Sequence, residues 1–224
     1  DGQSTLKAGI DYAKGVGEVE FTLRQAMKTV TFWLLAVSAL LRGFVHPVVT
    51  VHQIAHVTDM GIDPVTAAGV LGLTLMISSI GRVVGGFMAD RLGNRVLLYS
   101  LILAYSLQTL GIFALMEART VEALYLYTIL YGVGMGAGVT LYYILRGRYY
   151  GRKAYASIVG TMQTLALPAS IVGPIYAGWI FDVTGSYRTA FTQVVILSAI
   201  SLVLLYFARL PKPPEKITSV TEFI

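Results

Sequence analysis

The chain has 224 residues, of which 55% are hydrophobic and only 13% charged, with a formal net charge of +5 and no cysteine. That balance is too apolar for an ordinary water-soluble domain, and it excludes disulfides and thiolate metal centres. Lysine and arginine fall in clusters between apolar runs, so the positive charge reflects membrane topology and calls for no nucleic-acid partner.

Residues 1–21 are polar, and "KAGIDYAKGVGEVE" (7–20) reads as a loop, with no cleavable signal peptide. Six apolar runs follow, at about 31–56, 65–89, 96–116, 122–145, 155–181 and 187–208. Each is long enough to carry a helix across the roughly 30 Å of a bilayer's hydrocarbon. "VLLYSLILAYSLQTLGIFALM" (96–116) is apolar on every face, unlike a membrane β-strand, which alternates. The predicted fold is an all-α membrane protein: a cytoplasmic segment (1–29), a six-helix transmembrane domain (30–210) and a cytoplasmic tail (211–224).

Positive charge orients the spans, because cytoplasmic loops carry the excess of Lys and Arg. One side holds Lys7, Lys14, Arg24, Lys28, Arg91, Arg95, Arg146, Arg148, Arg152, Lys153, Arg209, Lys212 and Lys216, whereas the other holds only Arg119 and Arg188. The expectation is a multi-pass protein of the cell membrane with both termini cytoplasmic.

The first run places Arg42 near mid-membrane, and Arg42, His46, Gln53 and His56 share one helical stripe that should face a cavity. "HQIAH" (52–56) spaces two histidines as in a zinc-protease helix, but Gln53 replaces the general base and only Asp59 lies near as a third ligand. No metal site and no cofactor are therefore predicted. His46 and His52 are candidates for protonation or for hydrogen bonding to a substrate.

The second run carries Ser78 and Arg82 and ends in the turn Asp90, Arg91, Gly93, Arg95. No Asp or Glu lies deep within any run, so Arg42 and Arg82 have no intramembrane carboxylate in this chain. A buried charge costs several kcal/mol unless it is paired or reaches water. The partner is then a carboxylate outside these spans, cavity water, or an anionic substrate.

"YGVGMGAGVTLYY" (131–143) in the fourth run has the glycines of a nucleotide loop but no preceding strand, so Gly132, Gly134, Gly136 and Gly138 read as sites of close helix approach. Tyr142, Tyr143, Tyr149 and Tyr150 read as an interfacial aromatic belt. In the fifth run Gly173-Pro174 marks a bendable helix, and Gln163 completes the candidate substrate contacts.

Gly86-x-x-x-Asp90-x-x-Gly93-x-Arg95 is echoed by Gly178-x-x-x-Asp182-x-x-Gly185-x-x-Arg188, each at the end of the second helix of a triplet. The copies fall on opposite membrane sides, which predicts two inverted three-helix repeats, an arrangement common among secondary transporters. In the turn, Asp90 can accept hydrogen bonds, Gly93 permits a tight bend, and Arg91 and Arg95 hold the loop cytoplasmic.

"GGFMADRLGNR" (85–95) resembles the G-x-x-x-D-R-x-G-R-R loop of the major facilitator superfamily, with Asn94 in place of the first basic residue of the final pair. "TLRQAMKTVTFWLLA" (22–36) and "GPIYAGWIFDVTGSYRTAF" (173–191) resemble the C-terminal half of its monocarboxylate or oxalate/formate-type members. The resemblance implies helices seven to twelve of a twelve-helix transporter, partnered by an N-terminal six-helix half.

It implies alternating-access transport of a small organic anion, as a symporter or antiporter and with no covalent chemistry. Spans one, two, four and five would line the cavity. Arg82 coincides with a substrate-recognising arginine of monocarboxylate transporters, and Ser78 stands where those have Asp, which leaves proton coupling to other groups. Gly86, Asp90, Arg91, Gly93 and Arg95 would form a conformational latch. The alternatives are an exporter of neutral or cationic compounds, with Arg42 and Arg82 paired to acids of the other half, or a tightly packed membrane sensor or scaffold.

Overall fold

The computed structural model describes residues 20–213, and every regular element among them is a helix. These are α1 (Leu23–Met27), α2 (Val30–Asp59), α3 (Pro64–Ala89), α4 (Asn94–Glu117), α5 (Val121–Tyr150), α6 (Tyr155–Thr184) and α7 (Arg188–Phe207). The last six are long and apolar enough to cross a membrane, as the sequence predicts. Most of the expected 1–29 segment and of the 211–224 tail lies outside the described residues.

Local chemistry sets the helix ends. The hydroxyls of Thr29 and Thr120 accept from the backbone N–H of Phe32 and Ala123, and Asp63 caps α3 just before Pro64, which needs no hydrogen-bond partner at that position. The Thr66 hydroxyl and two backbone N–H groups hold the Asp63 carboxyl below the usual carboxylate range. That cap is complete above the ordinary carboxylate pKa and is lost as pH falls through the lowered value.

The helices pair in a pattern that survives exchange of the two triplets. α3 packs on α5 as α2 packs on α6, α4 packs on α5 as α2 packs on α7, and α4 meets α7. With three crossings in each triplet, the second runs opposite to the first, so the repeats are inverted.

The glycines of α5 make its two contacts possible. Residues two apart on a helix point about 200° apart, so Gly132 and Gly136 face α3 while Gly134 and Gly138 face α4. A Cβ on Gly136 would lie 1.9 Å from the Ser78 carbonyl oxygen, and one on Gly134 would lie 2.4 Å from the Ala104 carbonyl oxygen. The close-approach reading of this stretch is correct. Serine and threonine pairs add polar ties, Ser38 to Ser201 at 2.7 Å and Thr109 to Ser198 at 2.6 Å.

Two expectations change at the end of α5. The helix continues through 146–150, so Arg146 and Arg148 are helical rather than in a loop. Tyr142, Tyr149 and Tyr150 are buried, not a belt at the membrane surface. Their hydroxyls tie the bundle: Tyr142 donates to the Leu35 carbonyl at 2.6 Å, Tyr149 donates to that of Ala208 at 3.2 Å, and Tyr150 lies 3.4 Å from the Thr29 hydroxyl. Phe21 is buried edge-on against Tyr150, and the Glu20 carboxylate accepts from the backbone N–H of Arg152 and Lys153, so the entry to α1 is stapled to the α5–α6 loop.

Gly136→Ala is expected to cost about 1–3 kcal/mol through overpacking, read as a lower midpoint of thermal unfolding in detergent. Gly160→Ala on α6, where a Cβ meets nothing within 4 Å, is the control and should unfold at or slightly above the wild-type temperature.

Candidate functional site

A cavity of about 290 Å³ opens between α2, α4, α5 and α6. Its polar lining comprises Arg42 and His46 from α2, Tyr105 and Gln108 from α4, Tyr142, Tyr143 and Arg146 from α5, and Gln163 from α6. Three sequence-predicted residues are thus brought together: Arg42 and His46, one turn apart on α2, and Gln163, far from them in the chain.

The Arg42 guanidinium carbon lies 3.4 Å from the centroid of the Tyr105 ring, a cation–π contact, and its Nη1 is buried with no hydrogen-bond partner. His46 Nδ1 is 3.1 Å from the Tyr131 hydroxyl. The Gln163 amide donates to the Tyr143 hydroxyl, linking α6 to α5 at the cavity wall.

Arg146 was not among the sequence candidates, because a span ending at 145 leaves it in a loop. It is only 2% exposed, its Nε donates to the Tyr142 carbonyl at 3.3 Å, and its guanidinium carbon lies 4.2 and 4.5 Å from the Tyr142 and Tyr143 rings. Gln108 was also missed; it is 1% exposed and its Oε1 has no partner. Nothing in the local pattern of α4 distinguishes it from other polar residues of that run.

Arg82 lies outside this lining, on the exposed face of α3, and has no hydrogen bond or ion pair among the described residues. It is near enough for its charge, like that of Arg42, to act on His46. Ser78 is buried at the α3–α5 crossing beneath Gly136, its hydroxyl without a partner, and does not line the cavity.

The polar stripe of α2 does not face the cavity along its whole length. Beside that stripe, His52 Nε2 lies 2.9 Å from the Pro174 carbonyl and its Nδ1 3.3 Å from the Tyr187 hydroxyl, so the ring bridges α2 to α6 and to the start of α7. The Tyr127 hydroxyl donates to the Gln53 side chain, and the His56 ring packs on Phe191 at 4.8 Å. Neighbouring helices cover this part of the stripe, a fact that helical spacing alone does not carry.

In the 90–95 turn the expected residues cluster, but the bonds differ from the expectation. Neither the Asp90 carboxylate nor the Arg95 guanidinium has a partner among the described residues, and Arg91 stacks on Phe87 at 4.0 Å. Arg148 reaches across from α5 and donates to the carbonyls of Ala89 and Leu92, closing the end of α3. Gly93 has a φ of −70°, so it is not a left-handed bend. Its counterpart Gly185 has a φ of +66°, where an L side chain is strained. Gly86 is packed near Thr140.

Inverted three-helix repeats around a polar cavity place the chain in a class of architecture common among membrane transporters. The chain belongs to the Major Facilitator Superfamily, whose family model matches residues 32–223. It is 29% identical over 184 residues to mouse Monocarboxylate transporter 12, which covers 81% of this chain and 37% of the relative. It is 27% identical over 145 residues to rat Monocarboxylate transporter 13, covering 63% of the chain and 33% of the relative. To the MFS-type transporter 1 of Ophiocordyceps sp. (strain BCC 1869) it is 25% identical over 70% of the chain and 34% of the relative. The crystal structure of the peptide transporter POT (E310Q mutant) in complex with alafosfalin matches the fold with a TM-score of 0.68 at 16% identity, over 78% of this chain and 37% of that one. The chain therefore spans little more than a third of the relatives it matches.

Alanine separates the two turn glycines. Gly185→Ala should cost about 1–2 kcal/mol from its left-handed backbone, whereas Gly93→Ala, with open space for a Cβ, should leave the unfolding temperature unchanged.

Proposed function

We propose that these six spans are the C-terminal half of a secondary transporter that carries a small, monocarboxylate-like organic anion by alternating access. The observation that carries this reading is a cavity between membrane-crossing helices that presents guanidinium groups and, among the described residues, no carboxylate. A desolvated cation without a fixed counter-ion favours an anion that arrives and leaves. The relatives named as monocarboxylate transporters support the same choice.

In this reading Arg82 and Arg42 bind the substrate carboxylate, His46 and Gln163 line its path, and Ser78 acts through the α3–α5 crossing it occupies. Arg82 shares its exposed face of α3 with Leu75, and α6 bears an exposed apolar face at Ile171, Ile175 and Trp179. An N-terminal six-helix half covering both faces would enclose Arg82 beside the cavity. The Lys and Arg distribution supports cytoplasmic termini. Asp90, with Gly86, Arg91, Gly93 and Arg95, is the latch, its carboxylate free to engage the other half in one state and release it in the next.

Direct binding of small carboxylates to the purified full-length transporter tests the reading. Arg82→Ala should weaken binding by about 2–5 kcal/mol and Arg82→Lys by less, because lysine keeps the charge but loses the bidentate fork. Wild-type affinity in Arg82→Ala removes Arg82 from the site. Asp90→Asn should slow transport at saturating substrate and leave equilibrium affinity within about twofold; the opposite result makes Asp90 a ligand. If protons are co-transported, His46→Gln should shift the pH profile of uptake, and His52→Gln, whose ring nitrogens both face structural partners, should lower stability without shifting it.

A further inference from the structure

Arg146 is the feature of the cavity that the proposed carboxylate anchors leave unused. It shares the cavity with Arg42. The two cations are joined through one aromatic pair: Arg42 lies over Tyr105, Arg146 lies over Tyr142, and the two ring centroids are 6.3 Å apart. Both charges act on Tyr105. One backbone carbonyl accepts from Arg146 Nε, and no carboxylate approaches either guanidinium among the described residues.

Two like charges held in a small low-dielectric space repel each other; Arg146 is almost wholly withdrawn from solvent, and Arg42 is half-buried with its Nη1 enclosed. Ring faces recover part of that cost, as a cation–π contact does, but they supply no negative charge. A monoanion neutralises one guanidinium and leaves the other. A dianion with its charges on a short spacer neutralises both and turns their repulsion into two attractions. Gln108 and Gln163 on the same walls are suited to hydrogen bond the polar atoms of such a molecule.

We propose that Arg146 is a specificity-determining residue, forming with Arg42 a two-point site for an organic diacid on a short spacer. The proposal rests on the anion-transport part of the reading above and departs from it in the substrate, a diacid in place of a monocarboxylate.

The test is equilibrium binding to the purified full-length protein at neutral pH, where both carboxyls of a diacid are ionised. The probes are malonate, succinate and glutarate, each against its own monomethyl ester, which keeps the chain and removes one charge. At least one diacid should bind 10-fold or more tighter than its ester. Arg146→Gln should bring that diacid to within about twofold of the ester while leaving ester affinity unchanged. Equal binding of diacids and esters by the wild type, or equal loss of both in Arg146→Gln, overturns the two-point site and leaves the anion-transport reading standing. Failure of every diacid and every ester to bind overturns both. Should Arg146→Gln not fold, Arg146→Lys carries the test: a reduced diacid preference with unchanged ester binding supports the proposal, and a full preference overturns it.

Discussion

The close approach of α5 to both α3 and α4 is the constraint on which the rest of the bundle depends. A backbone carbonyl of α3 occupies the space where Gly136 would carry a side chain, and Ala104 of α4 does the same opposite Gly134. Inside a bilayer there is little hydrophobic drive between helices, so association relies on close van der Waals packing and interhelical hydrogen bonds. Glycines at alternate positions supply two such surfaces on opposite sides of one helix. They place α5 at the centre of its group and leave its continuation, from Tyr142 to Tyr150, to build the cavity wall and the end of the bundle.

Much follows from how the cations of α5 are accommodated. Arg148 donates from its guanidinium to the carbonyls of Ala89, the last residue of α3, and of Leu92 in the turn, meeting the negative end of the helix dipole. Arg146 faces inward and finds tyrosine rings and one carbonyl. Two residues apart on the same helix, they point to opposite sides, one structural and one toward the cavity. The tight turn and the polar cavity thus arise from a single helical segment.

The spans of this bundle differ in how closely they are packed. The α2–α6 and α3–α5 pairs pack closely, whereas α6 and α3 are the least buried of the spans and present large apolar side chains outward. The α5–α6 contact is sparse and includes the Gln163 to Tyr143 bond beside the cavity, so one wall is held by few interactions.

The sequence by itself determined the six spans, the inverted repeat and the family, because hydrocarbon thickness, backbone satisfaction in lipid and the spacing of Gly, Asp and Arg are one-dimensional constraints. It also placed Arg42, His46 and Gln163 among the site candidates, since polar residues in an apolar run are conspicuous. Only the tertiary structure decided which polar residues meet. Gln53 and His56 look like cavity residues on a helical wheel, yet α5 and α7 cover them. Arg146 looks like a loop cation, yet the tyrosines packed around it continue the helix and carry it inside. Gly93 has the spacing of a bend but an extended backbone, while Gly185 takes the left-handed one. These outcomes depend on which helix faces which, and that is fixed by pairwise packing in three dimensions rather than by the period of any one segment.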